Sequence, residues 1–184
     1  MDLIPIFGVK ESLPPKCGAL SLKDVEVYPD IRHGVKIRYQ ISEQVRADAY
    51  LYDLGYSNIS LDIHSSEVTE YYEAACHDVF RAAEMGILLD LKMLSSQYFY
   101  IDGKEPKPLY FWASFTFNHP DEKGLASTEK EMSHLALRTD RGFINKVRFS
   151  YPFPEDVELE EAGFLWFRLF VVHWASIVRE FGLQ

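Results

Sequence analysis

Residues 34–42 alternate without a break: Val35, Ile37, Tyr39 and Ile41 fall on one side, and Lys36, Arg38 and Gln40 on the other. Period two predicts a strand with one buried face. Residues 47–54 predict a second strand. A short EQVR loop between the two would set Tyr39 opposite Tyr50 and Ile37 opposite Tyr52, so that the apolar sets share a face. That register also places Lys36 across from Asp53.

The period then changes. Val68, Tyr72, Ala75, Val79 and Ala82 recur at helical spacing and predict a helix over residues 66–85, with Ser65 or Ser66 as its cap, Glu67 in its first turn and Gly86 at its end. Residues 87–101 and 109–118 predict two strands joined by the turn DGKEPKP. The second alternates Leu109, Phe111, Ala113, Phe115 and Phe117 against Tyr110, Trp112, Ser114 and Thr116. After the polar stretch HPDEKGLASTEKE comes a hairpin centred on residues 140–142. A three-residue loop with Gly142 in the left-handed region pairs Leu135 with Val147 and Thr139 with Phe143, which keeps the apolar sets together. A long helix over residues 155–181 closes the chain, with acidic residues in its first turn. On a helical wheel Trp166, Phe170, His173, Ile177 and Phe181 form one face. Phe167, Val171 and Val172 fall off it and are the expected interface residues of a second packing surface. Residues 1–24, with prolines and glycines among mixed charges, read as an irregular lead-in.

Strands in antiparallel succession with helices inserted between and after them predict an α+β architecture: one domain over residues 1–184, an antiparallel sheet covered by two main helices. At 184 residues, with 47% hydrophobic and 15% aromatic content, the chain can bury a core without metals or disulfides. A formal net charge of −9 argues against nucleic acid and against anionic membrane surfaces as partners. Cys17 and Cys76 lack metal-ligand spacing, and the start MDLIPIFGVKESLPPKCG has no basic n-region before an apolar run, so a cytoplasmic setting is expected. Residues 162–178 are mostly apolar. They are short for a membrane span and contain Arg168 and His173, so they read as a buried helix.

Candidate chemistry is sparse. Glu70, Glu73 and His77 point away from the apolar stripe of their helix and read as a solvated face rather than a metal site. Asp62 and Ser65 are explained by capping of the helix start, and His64 reads as a solvated loop histidine. There is no GxSxG, no glycine-rich phosphate loop and no HExxH, so no catalytic residue, metal or cofactor is assigned. Two candidate ligand sites stand out. His173, set among aromatic residues, would share an aromatic cavity with Trp112. His134, Arg138, Lys146 and Arg148 fall on one face of the last hairpin in the preferred register. With Lys36 and Arg38 they would form a local basic face able to bind an anion.

From RADAYLYDLG through the first helix to LRTDRGFINKVRFSYPFP and the last helix, the order of elements over residues 34–181 resembles the PsbP-like fold. The resemblance implies an α/β/α sandwich. Members of that fold are mostly adaptor or assembly proteins without catalytic residues, so it also implies a binding role. The leading expectation is therefore a non-catalytic interaction or adaptor protein, with a protein partner or a homodimer formed through the last helix. The alternative is a small-ligand-binding protein or enzyme with an aromatic cavity near His173 and Trp112.

Overall fold

Among the described residues, eight strands build one antiparallel sheet in the order β1-β2-β3-β4-β8-β7-β6-β5. The computed structural model describes residues 11, 13–100, 110–154 and 157–181. The strands are β1 (Lys16–Cys17), β2 (Leu20–Val27), β3 (Val35–Gln40), β4 (Arg46–Tyr52), β5 (Leu89–Phe99), β6 (Tyr110–Pro120), β7 (Ala126–Asp140) and β8 (Phe143–Pro152). Helix α1 (Ser66–Glu84) connects β4 to β5, and helix α2 (Val157–Phe181) follows β8. The expected α+β class and antiparallel sheet are present, with a helix on each face. The sheet consists of two meanders, β1–β4 and β5–β8, that meet along a single seam where β4 pairs with β8. The expected turn DGKEPKP, Leu109, Glu155, Asp156 and the side chain of Phe181 lie outside the described residues.

Two cores result because β6 is buried on both sides. Phe111, Ala113, Phe115 and Phe117 pack with Val68, Tyr72, Ala75 and Val79 of α1. On the other face, Tyr110 and Trp112 join Ile37, Tyr39, Val147 and Phe149 beneath Phe167, Phe170, Val171 and Trp174 of α2. Ser65 caps α1 as expected, its Oγ accepting from Val68 N–H at 3.3 Å. Glu70, Glu73 and His77 are exposed.

Four expectations are corrected by the register actually formed. First, the lead-in is partly ordered: residues 16–27 form β1 and β2. A register shift between Leu22 and Asp24 breaks period two, which hides the strand in the sequence. Second, the first hairpin pairs Tyr39 with Ala47 and Ile37 with Ala49. Ile41–Val45 closes as a longer loop, in which Ser42 Oγ accepts from Val45 N–H. A three-residue slip is odd, so it turns Tyr50 and Tyr52 onto the α1 face and leaves Ala47, Ala49 and Leu51 under α2. Asp53 is then not the partner of Lys36. It accepts from Gly55 N–H instead.

Third, the last hairpin turns through two residues, Arg141 (φ 48°) and Gly142 (φ 88°), and pairs Leu135 with Arg148, Ala136 with Val147 and Thr139 with Ile144. Two left-handed residues match the twist of the strands better than a longer loop does. The one-residue difference separates the expected basic face: His134 and Arg138 lie on the α2 side, while Lys146 and Arg148 lie on the α1 side. Fourth, the buried side of α2 is rotated by one residue, about 100° on the wheel. Phe167, Phe170, Val171, Trp174 and Val178 are fully buried, whereas Trp166 is 36% exposed and His173 is exposed. A helix apolar nearly all round carries no phase of its own, and here contacts with the sheet decide it. Trp174 Nε1–H donates to Asn145 Oδ1 at 3.0 Å, and Gly163 admits the ring of Tyr151 against the helix backbone. Phe167 and Val171 are therefore core residues rather than interface residues, and Val172 is partly exposed. The segment Glu160–Glu180 is long and apolar enough to cross a membrane by length and composition, yet one side of it is packed on the sheet.

Candidate ligand-binding groove

The α1 face of the sheet is only half covered. Eight strands about 4.8 Å apart span roughly 34 Å, and one helix about 10 Å across shields only part of that width. The apolar half, β5 to β8, lies under α1. The remainder, β2 to β4, carries charged rows that are exposed at Asp24 and Glu26, half-buried at Lys36 and Arg38, and buried at Asp48. In one cross-strand row Asp24, Arg38, Asp48 and Arg148 alternate in sign. The neighbouring row reads Glu26, Lys36, Tyr50 and Lys146. Tyr50 thus stands where the first row has a carboxylate.

The ion pairs follow from that difference. Lys36 is held by Glu26 at 2.6 Å, and Arg38 forks onto Asp48 at 2.7 and 2.9 Å. Lys36 and Arg38, expected as part of a basic face, are therefore neutralised. Arg148 donates to Ser133 Oγ and lies over the ring of Phe117, but its cross-strand neighbour Asp48 is committed to Arg38. Lys146 has no carboxylate within 4 Å among the described residues. Its Nζ lies 4.5 Å from the ring centre of Tyr50 and 5.5 Å from that of Tyr52. Burial pushes the Lys146 ammonium below its ordinary pKa, and burial acts in the same direction on Arg148. Two cations two residues apart on β8 are thus desolvated without a paired acid, a costly arrangement unless something else compensates.

Lys146 faces a groove of about 320 Å³ where the flank of α1 meets the open sheet; Tyr28, Tyr50, Tyr52, Tyr71 and Asp78 also line it. Tyr71 donates to Glu67 at 2.7 Å. The hydroxyls of Tyr28, Tyr50 and Tyr52 have no hydrogen-bond partner among the described residues. Burial raises the pKa of Tyr50 and Tyr52, so both remain protonated donors at neutral pH. Asp78, the one carboxylate among the described residues that line the groove, is well exposed and pairs weakly with Arg81 at 3.7 Å. Gly34 (φ 62°) follows His33, which lines the groove. A Cβ there would enter the carbonyl of Leu51 and lie 3.0 Å from Tyr52 Cα, so only glycine lets the Tyr28–His33 segment lie close to β4.

The other candidate residues are distributed differently from the expectation. His173 and Trp112 share no cavity. His173 lies on the outer side of α2, its Nδ1 2.8 Å from Leu169 O, beside a concavity lined by Leu13 and Cys17. Trp112 instead meets His134 in a cavity beneath the first half of α2. The loop carrying Asp62 and His64 reaches the sheet at Tyr98, whose hydroxyl lies 3.3 Å from His64 Nδ1, and not at the groove. Among the described residues no group of three His, Cys, Asp or Glu side chains is placed to hold a metal ion. The sequence reading missed the groove tyrosines because its register turned Tyr50 and Tyr52 toward the other core. The available signal was the acid–base alternation across strands, broken at Tyr50. No protein-family model matches the chain, and no curated protein matches its sequence.

Proposed function

We propose that the protein is a non-catalytic binding protein whose groove takes a small ligand with an anionic oxygen group, a carboxylate or phosphate, joined to a flat apolar body. The observation that carries this reading is Lys146: a half-buried cation with no paired acid among the described residues, in a groove lined by three tyrosine hydroxyls that have no hydrogen-bond partner among them. A few convergent polar groups on aromatic walls are what small-ligand sites use. The groove already holds its own cation against the tyrosine rings, so a cationic ligand would be repelled. An oxyanion would pair with Lys146 and accept from the hydroxyls, and such charge-assisted bonds are the strong ones. The implied binding role of the PsbP-like resemblance agrees with this. Calorimetric titration with phenyl phosphate, benzoate and uncharged benzyl alcohol tests it. The two anions should bind and the alcohol should not, binding should weaken with added salt, and Lys146→Met should reduce anion affinity about tenfold or more. Equal affinity for the alcohol, or no effect of Lys146→Met, would overturn the proposal.

A second reading, a homodimer, is favoured by Leu165, Trp166 and Leu169, which form an exposed apolar patch on the outer side of α2. Sedimentation of the wild-type protein and of Leu169→Asp decides it. A concentration-dependent dimer lost in the variant supports it, and a monomer throughout removes it.

A further inference from the structure

The opposite face of the sheet carries a second concavity, independent of the groove. It has a volume of about 520 Å³ and lies between the first half of α2 and strands β5 to β8, with Leu94, Trp112, Met132 and Phe164 as apolar walls. Its polar atoms are almost all committed to one another. Ser95 and Ser114 share a 2.7 Å hydrogen bond. Trp112 Nε1–H lies 3.3 Å from His134 Nδ1. An indole nitrogen can only donate, so His134 Nδ1 must accept, and the neutral ring carries its proton on Nε2. That nitrogen lies 3.0 Å from Tyr151 Oη and donates to it. Burial holds His134 well below its ordinary pKa, at about 3, in keeping with a permanently neutral ring.

The chain of donors runs one way, from Trp112 to His134 to Tyr151, and leaves the Tyr151 hydroxyl proton with no acceptor among the described residues. Tyr151 is 3% exposed and lines the cavity. Gly163 fixes its ring, since a Cβ there would lie 2.5 Å from Tyr151 Cζ. Glu160 and Glu161 stand exposed at the rim, where their charges oppose an entering anion.

We infer that this cavity is a second binding site, for an uncharged aromatic molecule bearing a hydrogen-bond acceptor such as a carbonyl. The aromatic body packs on Trp112 and Phe164, and the acceptor takes the Tyr151 hydroxyl proton, which the buried Trp112–His134–Tyr151 chain aims into the cavity and no described residue accepts. The ligand class differs from that of the groove by charge: the groove supplies a cation, and this cavity supplies a neutral donor behind two carboxylates.

The test follows the indole N–H signal of Trp112 by NMR during titration with acetophenone, ethylbenzene and benzoate. Acetophenone should shift it saturably at millimolar concentration, ethylbenzene should bind about fivefold to tenfold more weakly, and benzoate should not bind. Tyr151→Phe should erase the preference for acetophenone while leaving ethylbenzene within about twofold. Leu94 is 53% exposed, so Leu94→Trp should fold normally and block both neutral probes. It decides the question if Tyr151→Phe does not fold. Lys146→Met should leave acetophenone binding unchanged, which separates this site from the groove. Absence of a saturable shift with acetophenone, equal binding of ethylbenzene, or a preference that survives Tyr151→Phe would overturn the inference.

Discussion

Gly163 and Tyr151 are in contact from helix backbone to aromatic ring, with no room between them for a methyl group: the Cβ that glycine lacks would lie 2.8 Å from Tyr151 Cδ2 and 2.5 Å from Cζ. Replacing glycine by alanine inside a helix ordinarily gains up to about 1 kcal/mol. Here the overlap opposes that gain, and overpacking of this kind costs about 1–3 kcal/mol. Gly163→Ala should therefore lower stability in urea titration and disturb the Trp112 and Tyr151 signals. A variant as stable as wild type would mean that Tyr151 does not sit against the helix.

His134 makes folding sensitive to acid. Its pKa is about 3 in the folded protein and about 6.5 in an unfolded chain, so between those values the unfolded state binds a proton that the folded state refuses. Its contribution is intact above about pH 6.5 and is lost on acidification, by about 1.4 kcal/mol per pH unit, down to pH 3. Between pH 7.5 and 5.0 the wild type should lose about 2 kcal/mol more than His134→Gln. Parallel urea titrations at the two pH values measure the difference, and equal losses would contradict the buried neutral ring.

Lys146 should show the opposing demands of a binding site. Lys146→Met removes a desolvated cation that lacks a paired acid, and such replacements are neutral or stabilising, here by about 1 kcal/mol. The same variant should lose anion binding. A rise or no change in thermal midpoint together with lost affinity fits a site residue. A clear fall in stability would mean that Lys146 serves the fold.

The phase of α2 is open to a direct comparison. Phe167 is fully buried and Leu165 is 52% exposed, two positions apart on one helix. Phe167→Ala should cost about 3–5 kcal/mol, and Leu165→Ser should stay within about 0.5 kcal/mol. The reverse order would mean that α2 packs on the sheet through a different face.

The fold class and the elements from β3 onward were legible in the sequence, because periods of two and 3.6 survive any choice of partner strand; β1 and β2 were not, since the register shift between Leu22 and Asp24 breaks the period. Faces were less so. Tyr50 and Tyr52 look like natural partners for Tyr39 and Ile37, but the bulky residues on β3 pack against the small Ala47 and Ala49, and a five-residue loop supplies the odd shift. In the last hairpin the competing loops differ by one residue, yet that residue decides whether Lys146 stands beside His134 or behind it. The sequence named Trp112, His134, Lys146 and Arg148 as candidate ligand residues. It could not say which of them meet, because that depends on pairings across strands distant in the chain.

The seam between the two meanders has a further consequence, for the order in which the chain assembles. Every other strand pair joins neighbours in sequence, so the two halves can form from short-range contacts. Pairing β4 with β8 instead closes a loop of roughly ninety residues, the slow kind of step in folding. Tyr50 and Tyr52 come from one side of that seam, and Ile144 and Lys146 from the other. The groove does not exist in either half alone, so the pairing with the longest loop to close is also the one that creates the groove.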